Sequence, residues 1–159
     1  MITQLIAPLT STQKMQITEL IKAVGWTDDQ INGQIDMLNQ CINEKNSVVY
    51  VSLEKEVIVG FISAQFYAWN RLAQIHGLVV HPSYRNAGRG SVLVEHVEDF
   101  MKQHNARGIY VDTPVNNEIG KKFYIQQKYC QDYIMTDYYD TGVNGVTFLK
   151  LFSVDNEKK

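Results

Sequence analysis

The sequence predicts a single α/β domain (α+β) with a mixed sheet covered by helices, in the order β-α-α-β-β-β-α-β-α-β-β. Its 159 residues match the usual size of one domain. A content of 45% hydrophobic and 20% charged residues is typical of a globular protein. The hydrophobic period changes along the chain, so that two strand–helix units follow an antiparallel meander, which predicts parallel as well as antiparallel pairing. We therefore expect residues 1–159 to form one domain.

The N-terminal half is expected to contain one strand, two helices and then three strands. Thr27 and Gln30 form a capping box ahead of apolar residues at three- and four-residue spacings, which indicates a helix. Gly25 ends the helix that precedes it. After residue 46 two β-branched runs flank a short charged turn at residues 54–56, as in a hairpin. The predicted strands cover residues 2–7, 47–53, 57–67 and 73–80.

The C-terminal half is expected to alternate helices and strands and to finish with a pair of strands. The turn-rich residues 140–145 join that last pair. Both of these strands are predicted to be exposed edges, which favours a homodimer. The predicted helices cover residues 91–103 and 117–127, and the predicted strands cover residues 109–111, 132–139 and 146–152.

Composition and charge exclude several classes of protein. A net charge of −2 argues against a protein that coats nucleic acid or a membrane surface, since both need a large excess of cations. No stretch has the roughly 18 apolar residues that a membrane span requires. Cys41 and Cys130 form no CxxC pair, and no histidine cluster has the spacing of metal ligands. We therefore expect a cytoplasmic protein without a metal site or disulfides.

The segment from residue 78 to residue 91 has the pattern of a phosphate-binding loop. It runs from an apolar strand through Gly88 and Gly90 into a predicted helix N-terminus. Glycines allow close approach of a ligand, helix N-termini attract anions, and Arg85 and Arg89 add positive charge. The alternative is an ordinary strand-to-helix turn with two surface arginines. A dinucleotide-binding fingerprint is excluded because Leu93 stands where the third glycine is needed.

The Walker A loop is excluded as well, because the one Gly-Lys pair, Gly120-Lys121, is followed by Lys122 instead of Ser or Thr. What remains is Arg85-x-x-Gly88-x-Gly90 after an apolar strand. This loop resembles the coenzyme A loop of the GNAT N-acetyltransferase superfamily, whose order of elements is also similar to the predicted order.

The resemblance implies acetyl-CoA as co-substrate and assigns main-chain groups to it. The backbone of Leu78, Val79 and Val80 is expected to pair with the pantetheine arm. The amide of Val79 is the one expected to polarise the thioester oxygen. The backbone amides expected to hold the pyrophosphate are those of Arg85, Asn86, Ala87, Gly88, Arg89, Gly90 and Ser91.

A second motif, from Asn117 through Tyr124 to Lys128-Tyr129, resembles the Asn…Tyr…Gly helix of the same superfamily. The resemblance implies that Tyr124 protonates the departing thiolate and that Asn117 contacts the coenzyme arm. Lys128 stands where the superfamily usually has glycine. The structural alternatives are a core aromatic residue for Tyr124 and a helix cap for Asn117.

Acetylation of an amine also needs a base, and three residues are candidates. Asp112 ends the central strand twelve residues before Tyr124, where bacterial ribosomal-protein alanine N-acetyltransferases, which this chain resembles, carry a glutamate. Because aspartate is shorter, a bridging water is expected. His76 has a side chain with an ordinary pKa near ~6.5, which suits a base. Glu56, in the predicted hairpin turn, is the weakest of the three.

The acceptor amine is expected to lie near Tyr138 and Tyr139. This pair, before an acidic glycine-containing turn, resembles the loop that grips the peptide backbone in protein N-terminal acetyltransferases. Asp137 and Asp140 favour a cationic amine. The alternative is a hairpin in which the aromatic residues stabilise the sheet. Peptides with a free α-amine are therefore predicted to be better substrates than free lysine or polyamines. The competing function is a catalytically degenerate acyl-CoA sensor of the same fold.

Overall fold

The computed structural model describes residues 1–153, which form one seven-stranded sheet with helices on both faces. The element order is the predicted one. The elements are β1 (Ile2–Gln4), α1 (Ser11–Ala23), α2 (Asp28–Asn43), β2 (Ser47–Glu54), β3 (Val57–Tyr67), β4 (Leu72–Val80), α3 (Arg89–Gln103), β5 (Gly108–Pro114), α4 (Glu118–Gln126), β6 (Cys130–Asp140) and β7 (Val143–Leu151), with a short 3₁₀ turn at Pro82–Tyr84.

The boundaries differ from the predicted ones at several elements. The strand expected over residues 2–7 ends at Gln4, because the backbone leaves β2 after one further hydrogen bond from Leu5. The central strand β5 is longer than expected and reaches Pro114, since β7 pairs with it along its whole length. Only one of the two strands predicted as C-terminal edges is an edge, because β7 lies between β5 and β6.

The strand order is β1-β2-β3-β4-β5-β7-β6, and only β4 and β5 are parallel. Helices α3 and α4 cover one face, where Leu93, Val97 and Tyr124 pack on the middle strands. Helices α1 and α2 cover part of the other face through Ile17, Leu38 and their neighbours. The helices on this second face leave β5, β7 and β6 uncovered, so one end of the sheet presents polar side chains.

Candidate active site

The sheet splits between β4 and β5. Their parallel pairing ends at Ile75 and Val111, although β4 continues to Val80 and β5 to Pro114. Beyond that point β4 is paired only with β3, so its main-chain groups on the side of β5 have no strand to bond. A V-shaped cleft therefore opens at this level of the sheet.

A β-bulge at His76 accompanies the split. Ser63 pairs with Gly77 and Ala64 pairs with Ile75, which leaves His76 as the extra residue on β4. A bulge bends the strand and reverses the facing of the residues that follow. Ile75 accordingly packs against the α3 side, whereas Val79 packs against the α1 and α2 side. Leu78 and Val80, predicted to pair with pantetheine, lie on the free stretch of β4 beside Val79.

The N-terminus of α3 is uncapped, in contrast to the other three α-helices described. Thr10, Thr27 and Asn117 cap α1, α2 and α4 through side-chain oxygens. The N-cap of α3 is Gly88, which has no side chain and adopts a left-handed φ of 77°. The first amides of α3 therefore have no intramolecular partner from a cap, which suits an anion bound at the helix N-terminus.

The loop before α3 is shaped for a close approach. Asn86 also has a positive φ, of 62°, so two left-handed residues precede the helix. A Cβ on Gly90 would lie 3.1 Å from the ring of Phe123, so a larger residue would need that ring to shift. The hydroxyl of Ser91 accepts a hydrogen bond of 2.7 Å from Gln127, which ties the start of α3 to the end of α4. Diphosphate binding by residues 85–91 stays a prediction.

The two arginines of the loop have different surroundings. Arg85 is exposed, and its Nε donates to the carbonyl of Val80 at 3.2 Å. Arg89 instead forms an ion pair with Glu54 and donates to Ser52 Oγ at 2.9 Å. The carboxylate of Glu54 on β2 therefore neutralises the positive charge that Arg89 was predicted to give the loop. Arg85 is the loop arginine that forms no ion pair among the described residues.

Tyr124 lies on the α3 side of the sheet below the cleft. Its ring stacks on Phe148 at 5.9 Å and meets Tyr129 edge-on at 5.7 Å, and the residue is 6% exposed. Burial raises the pKa of its hydroxyl above the ordinary value of 10.0. The phenol is thus protonated at neutral pH. The core-aromatic alternative for Tyr124 is what the structure shows, and its role as proton donor stays a prediction.

Both polar atoms of the Asn117 side-chain amide form hydrogen bonds within the protein. Its Oδ1 accepts from the amide of Gly120 at 3.1 Å, and its Nδ2 donates to Thr113 Oγ1 at 2.9 Å. The helix-cap alternative is therefore what the structure shows, and a contact with the coenzyme stays a prediction. Lys128, where the resemblance led us to expect glycine, has a φ of 72° and so adopts the left-handed conformation that glycine favours.

Asp112 and His76 flank the apex of the cleft, one on each strand. Each is the first residue beyond the last parallel pair, Ile75 and Val111. Burial lowers the pKa of His76 below 6.5, against the opposing influence of Glu44, so the imidazole is neutral at pH 7. The carboxylate of Asp112 accepts from Thr147 Oγ1 and, at 3.5 Å, from Gln74 Nε2. The structure thus brings the two leading base candidates together.

Hydrogen bonds connect the two candidates across the sheet. His76 Nε2 lies 3.2 Å from Gln65 Oε1, and Gln65 Nε2 donates to Glu44 at 2.9 Å. The hydroxyl of Tyr67 lies within 3.4 Å of both Gln65 Oε1 and Gln74 Oε1, and Gln74 in turn reaches Asp112. This polar stripe runs along the face that the helices leave open.

Tyr138 and Tyr139 lie on the edge strand β6, near Asp112. Their rings meet edge-on at 4.8 Å, and the ring of Tyr138 occupies the space above Gly145, where a Cβ would lie 2.9 Å from it. Burial and the Asp112 carboxylate raise the pKa of both hydroxyls, and Tyr124 adds to the effect on Tyr139. Tyr139 therefore lies within electrostatic range of Asp112 on one side and Tyr124 on the other.

Glu56 does not belong to this site. It lies in the exposed turn between β2 and β3, with a φ of 67°, next to the strand end where Glu54 pairs with Arg89. That turn lies beside the start of α3, whereas Asp112 and His76 lie at the level of Gln65, near the other end of β3.

Gln74 and Thr147, the hydrogen-bond partners of Asp112, were not among the predicted site residues. Each is a polar residue between two apolar neighbours on its strand, and this alternation was the signal that the sequence offered.

Two kinds of feature are not found in residues 1–153, the part of the chain that the structure describes. No group of three or more His, Cys, Asp or Glu side chains is arranged to hold a metal ion there. None of the helices in the same residues is long and apolar enough to cross a membrane.

Comparison with known proteins agrees with the geometry. Residues 16–129 match the family model described as acetyltransferase (GNAT) family. A streptothricin acetyltransferase of Streptomyces lavendulae is 33% identical over 60 residues, which are 37% of this chain. The matched segment spans about a third (32%) of that relative's length.

Solved structures share the fold. A protein of Bacillus anthracis, described as a streptothricin acetyltransferase in complex with acetyl coenzyme A, is 27% identical with a TM-score of 0.67. The alignment covers 72% of this chain and 68% of that one. The ribosomal-protein-S18-alanine N-acetyltransferase of Escherichia coli has a TM-score of 0.73 at 16% identity, covering 100% and 99% of the two chains. Because the family model matches well over half of the chain, residues 16–129, this chain belongs to the acetyltransferase (GNAT) family.

Proposed function

We propose that this protein is an acetyl-CoA-dependent N-acetyltransferase that moves the acetyl group directly to a primary amine, with residues 1–159 as one catalytic domain. The observation that carries the proposal is the cleft itself. An anion-binding helix N-terminus and a protonated phenol lie on one side of the split, and a neutral imidazole and a carboxylate lie at its apex.

Each group has a role that its environment supports. The amides at the start of α3 and the side chain of Arg85 bind the diphosphate, and the free edge of β4 pairs with the pantetheine arm. The amide of Val79, which was expected to polarise the acetyl carbonyl, faces β3, because Val79 pairs with Phe61 and the amide of His81 donates to Val59 on the same side of β4. The amide of Leu78 or Val80, on the free edge, takes this role instead. As the amine nitrogen bonds to the acetyl carbon, the carbon–sulfur bond breaks. The amine proton passes to Asp112 or His76, and the sulfur takes a proton from Tyr124.

The acceptor is a primary amine of one of two kinds. A small-molecule amine is suggested by the streptothricin acetyltransferases among the similar proteins, and a peptide α-amine by the alanine N-acetyltransferase. Tyr138 and Tyr139 lie beside Asp112, where either acceptor would present its nitrogen.

Thiol release from acetyl-CoA, measured with a panel of amines and peptides, tests the proposal. We expect release that depends on an amine and a product whose mass is increased by one acetyl group. Saturable acetyl-CoA binding without turnover on every amine would support the alternative function, a catalytically degenerate acyl-CoA sensor. Absence of acetyl-CoA binding would contradict both functions.

A further inference from the structure

A second pocket lies on the open face of the sheet, next to the candidate acceptor site. Its volume is about 220 Å³, and its walls include Leu72, Tyr110, Asp132, Tyr133 and Leu149. Two apolar side chains, two phenol rings and one carboxylate make a pocket with an apolar body and a single negative charge.

A β-bulge directs Asp132 and Tyr133 to this pocket. Gln131 pairs with Phe148 and Ile134 pairs with Val146, so Asp132 and Tyr133 both stand opposite Thr147. Bulges are common next to active sites, where they re-aim side chains. A regular strand would send these two neighbouring side chains to opposite faces, whereas here both line the same pocket.

The pocket shares its walls with the partners of Asp112. Thr147 lines the pocket and also donates to Asp112 Oδ1. The hydroxyl of Tyr110 bonds to Gln74 Oε1 at 3.2 Å, and Gln74 Nε2 reaches Asp112 Oδ2. Burial, with Asp112 and Tyr133 among the nearby groups, raises the pKa of Tyr110 to about 12. The pocket and the candidate acceptor site therefore share wall residues and lie side by side.

The charge of the pocket indicates which kind of ligand it can bind. Asp132 takes part in no ion pair among residues 1–153. The cation in contact with the rim is Arg107, whose Nε donates to the carbonyl of Asn70 at 2.7 Å. A carboxylate without an ionic partner, together with tyrosine rings, suits an alkylammonium group, which phenol rings and carboxylates both attract.

We propose, on the basis of the proposed acetyltransferase activity, that this pocket is a subsite for a second cationic group and that the acceptor is a small diamine. One nitrogen is acetylated at Asp112 while the other is held by Asp132 between Tyr110 and Tyr133. Thr147 on β7 lies between Asp112 on β5 and Asp132 on β6. The backbones of the two aspartates are therefore two strand spacings apart, which is about 10 Å. Side chains reaching inward from both positions suit nitrogens separated by a short alkyl chain.

Steady-state kinetics with 1,5-diaminopentane and pentylamine test the subsite, because the two amines differ only in the second nitrogen. We expect the wild-type protein to acetylate the diamine with a kcat/KM at least tenfold higher. Asp132→Asn should lower the diamine value to the pentylamine value and leave pentylamine unchanged. Glu95→Gln, which removes a carboxylate from the exposed face of α3, is the matched control and should alter neither value.

Calorimetry of the two amines against the protein loaded with coenzyme A separates the subsite from the chemistry. We expect the diamine to bind at least tenfold more weakly to Asp132→Asn than to wild type. If turnover is absent but this difference is present, the acetyltransferase function fails and the subsite stands. Equal affinity of the diamine for both proteins would overturn the subsite. Faster acetylation of Ala-Ala-Ala amide than of the diamine would overturn the diamine as acceptor and would support the peptide expectation from the sequence.

Discussion

The hydroxyl of Tyr124 is the group whose removal should affect the chemical step most cleanly. Tyr124→Phe keeps the ring that stacks on Phe148, so the fold is preserved. Because the proton is needed only as the thiolate forms, kcat should fall by about 10²–10⁴-fold with little change in the KM for acetyl-CoA. Tyr50→Phe, on β2, removes a hydroxyl outside the cleft and should keep full activity. A Tyr124→Phe enzyme with wild-type kcat would leave this residue a purely structural role.

Asp112 and His76 can be separated by their pH dependence. Because burial lowers the pKa of His76, activity that uses it as base should persist below pH 6.5 and disappear as the pH falls through its lowered pKa. We expect pH–rate profiles of Asp112→Asn and His76→Gln to identify the base as the residue whose loss removes the acidic limb. If both variants keep that limb, neither residue is the base.

The same lowered pKa has a consequence for stability. The unfolded chain protonates His76 near pH 6.5 while the folded protein does not, so stability is complete above this pH and declines below it. His76→Gln should therefore flatten the decrease in Tm between pH 7 and pH 5. This readout is independent of whether His76 acts in catalysis.

Lys128 carries a backbone conformation that glycine tolerates better. Its φ of 72° costs a residue with a side chain about 1–2 kcal/mol, and its side chain is exposed. Lys128→Gly should therefore raise the free energy of unfolding by about 1 kcal/mol in chemical denaturation. Lys122→Gly, in the interior of α4, should lower it by about 1 kcal/mol, since glycine is a poor helix former there. Equal effects of both substitutions would contradict this account of the helix exit.

At the level of secondary-structure elements, a buried ion pair holds α3, β7 and the end of α4 together. Lys150 Nζ donates to Glu98 at 3.0 Å and to the carbonyl of Gln127 at 3.1 Å, and the hydroxyl of Tyr129 also donates to Glu98. Tyr129 in turn contacts the ring of Tyr124, so this group also supports the position of Tyr124.

Breaking that ion pair should be costly. Removing one partner of a buried pair costs about 3–5 kcal/mol, and because Lys150 is 26% exposed we expect the lower end for Lys150→Met, about 3 kcal/mol. The double variant Glu98→Leu/Lys150→Met should recover much of the loss, because it leaves no uncompensated charge. Urea denaturation of the two single variants and the double variant measures the coupling. Additive losses would show that the two side chains act separately.

Element order was predictable from the sequence because hydrophobic period and capping residues are local signals. The Thr27 capping box and the strand predicted over residues 57–67 both appear in the structure. The bulges at His76 and at Asp132 were not predictable, since a bulge is a mismatch between two strands and neither strand alone carries it. The pairing of Arg89 with Glu54, 35 residues earlier, was hidden for the same reason. The cleft and the neighbouring pocket depend on these long-range pairings. The sequence therefore indicated the residues that line them but not their shape.

For the whole molecule, the split in the sheet implies that the ligand completes the fold. The free edge of β4 and the uncapped amides of α3 lie together on one side of the cleft, and acetyl-CoA would bond to both. A ligand that binds only the folded state stabilises it by about 2.7 kcal/mol at a hundred times its Kd. For a chain of this size about 2–4 °C of Tm accompanies each kcal/mol, so acetyl-CoA should raise the Tm by roughly 5–10 °C.

Reversing the charge of Arg85 tests where that stabilisation originates. Charge-assisted contacts with phosphate contribute about 1.5–3 kcal/mol, so Arg85→Glu should weaken acetyl-CoA binding at least tenfold. At the same ligand concentration the Tm rise should then fall to about half. Lys45→Glu, an exposed residue after α2, makes the same change of charge away from the loop and should keep the full rise. Equal Tm rises in Arg85→Glu and Lys45→Glu would place the diphosphate elsewhere on the molecule.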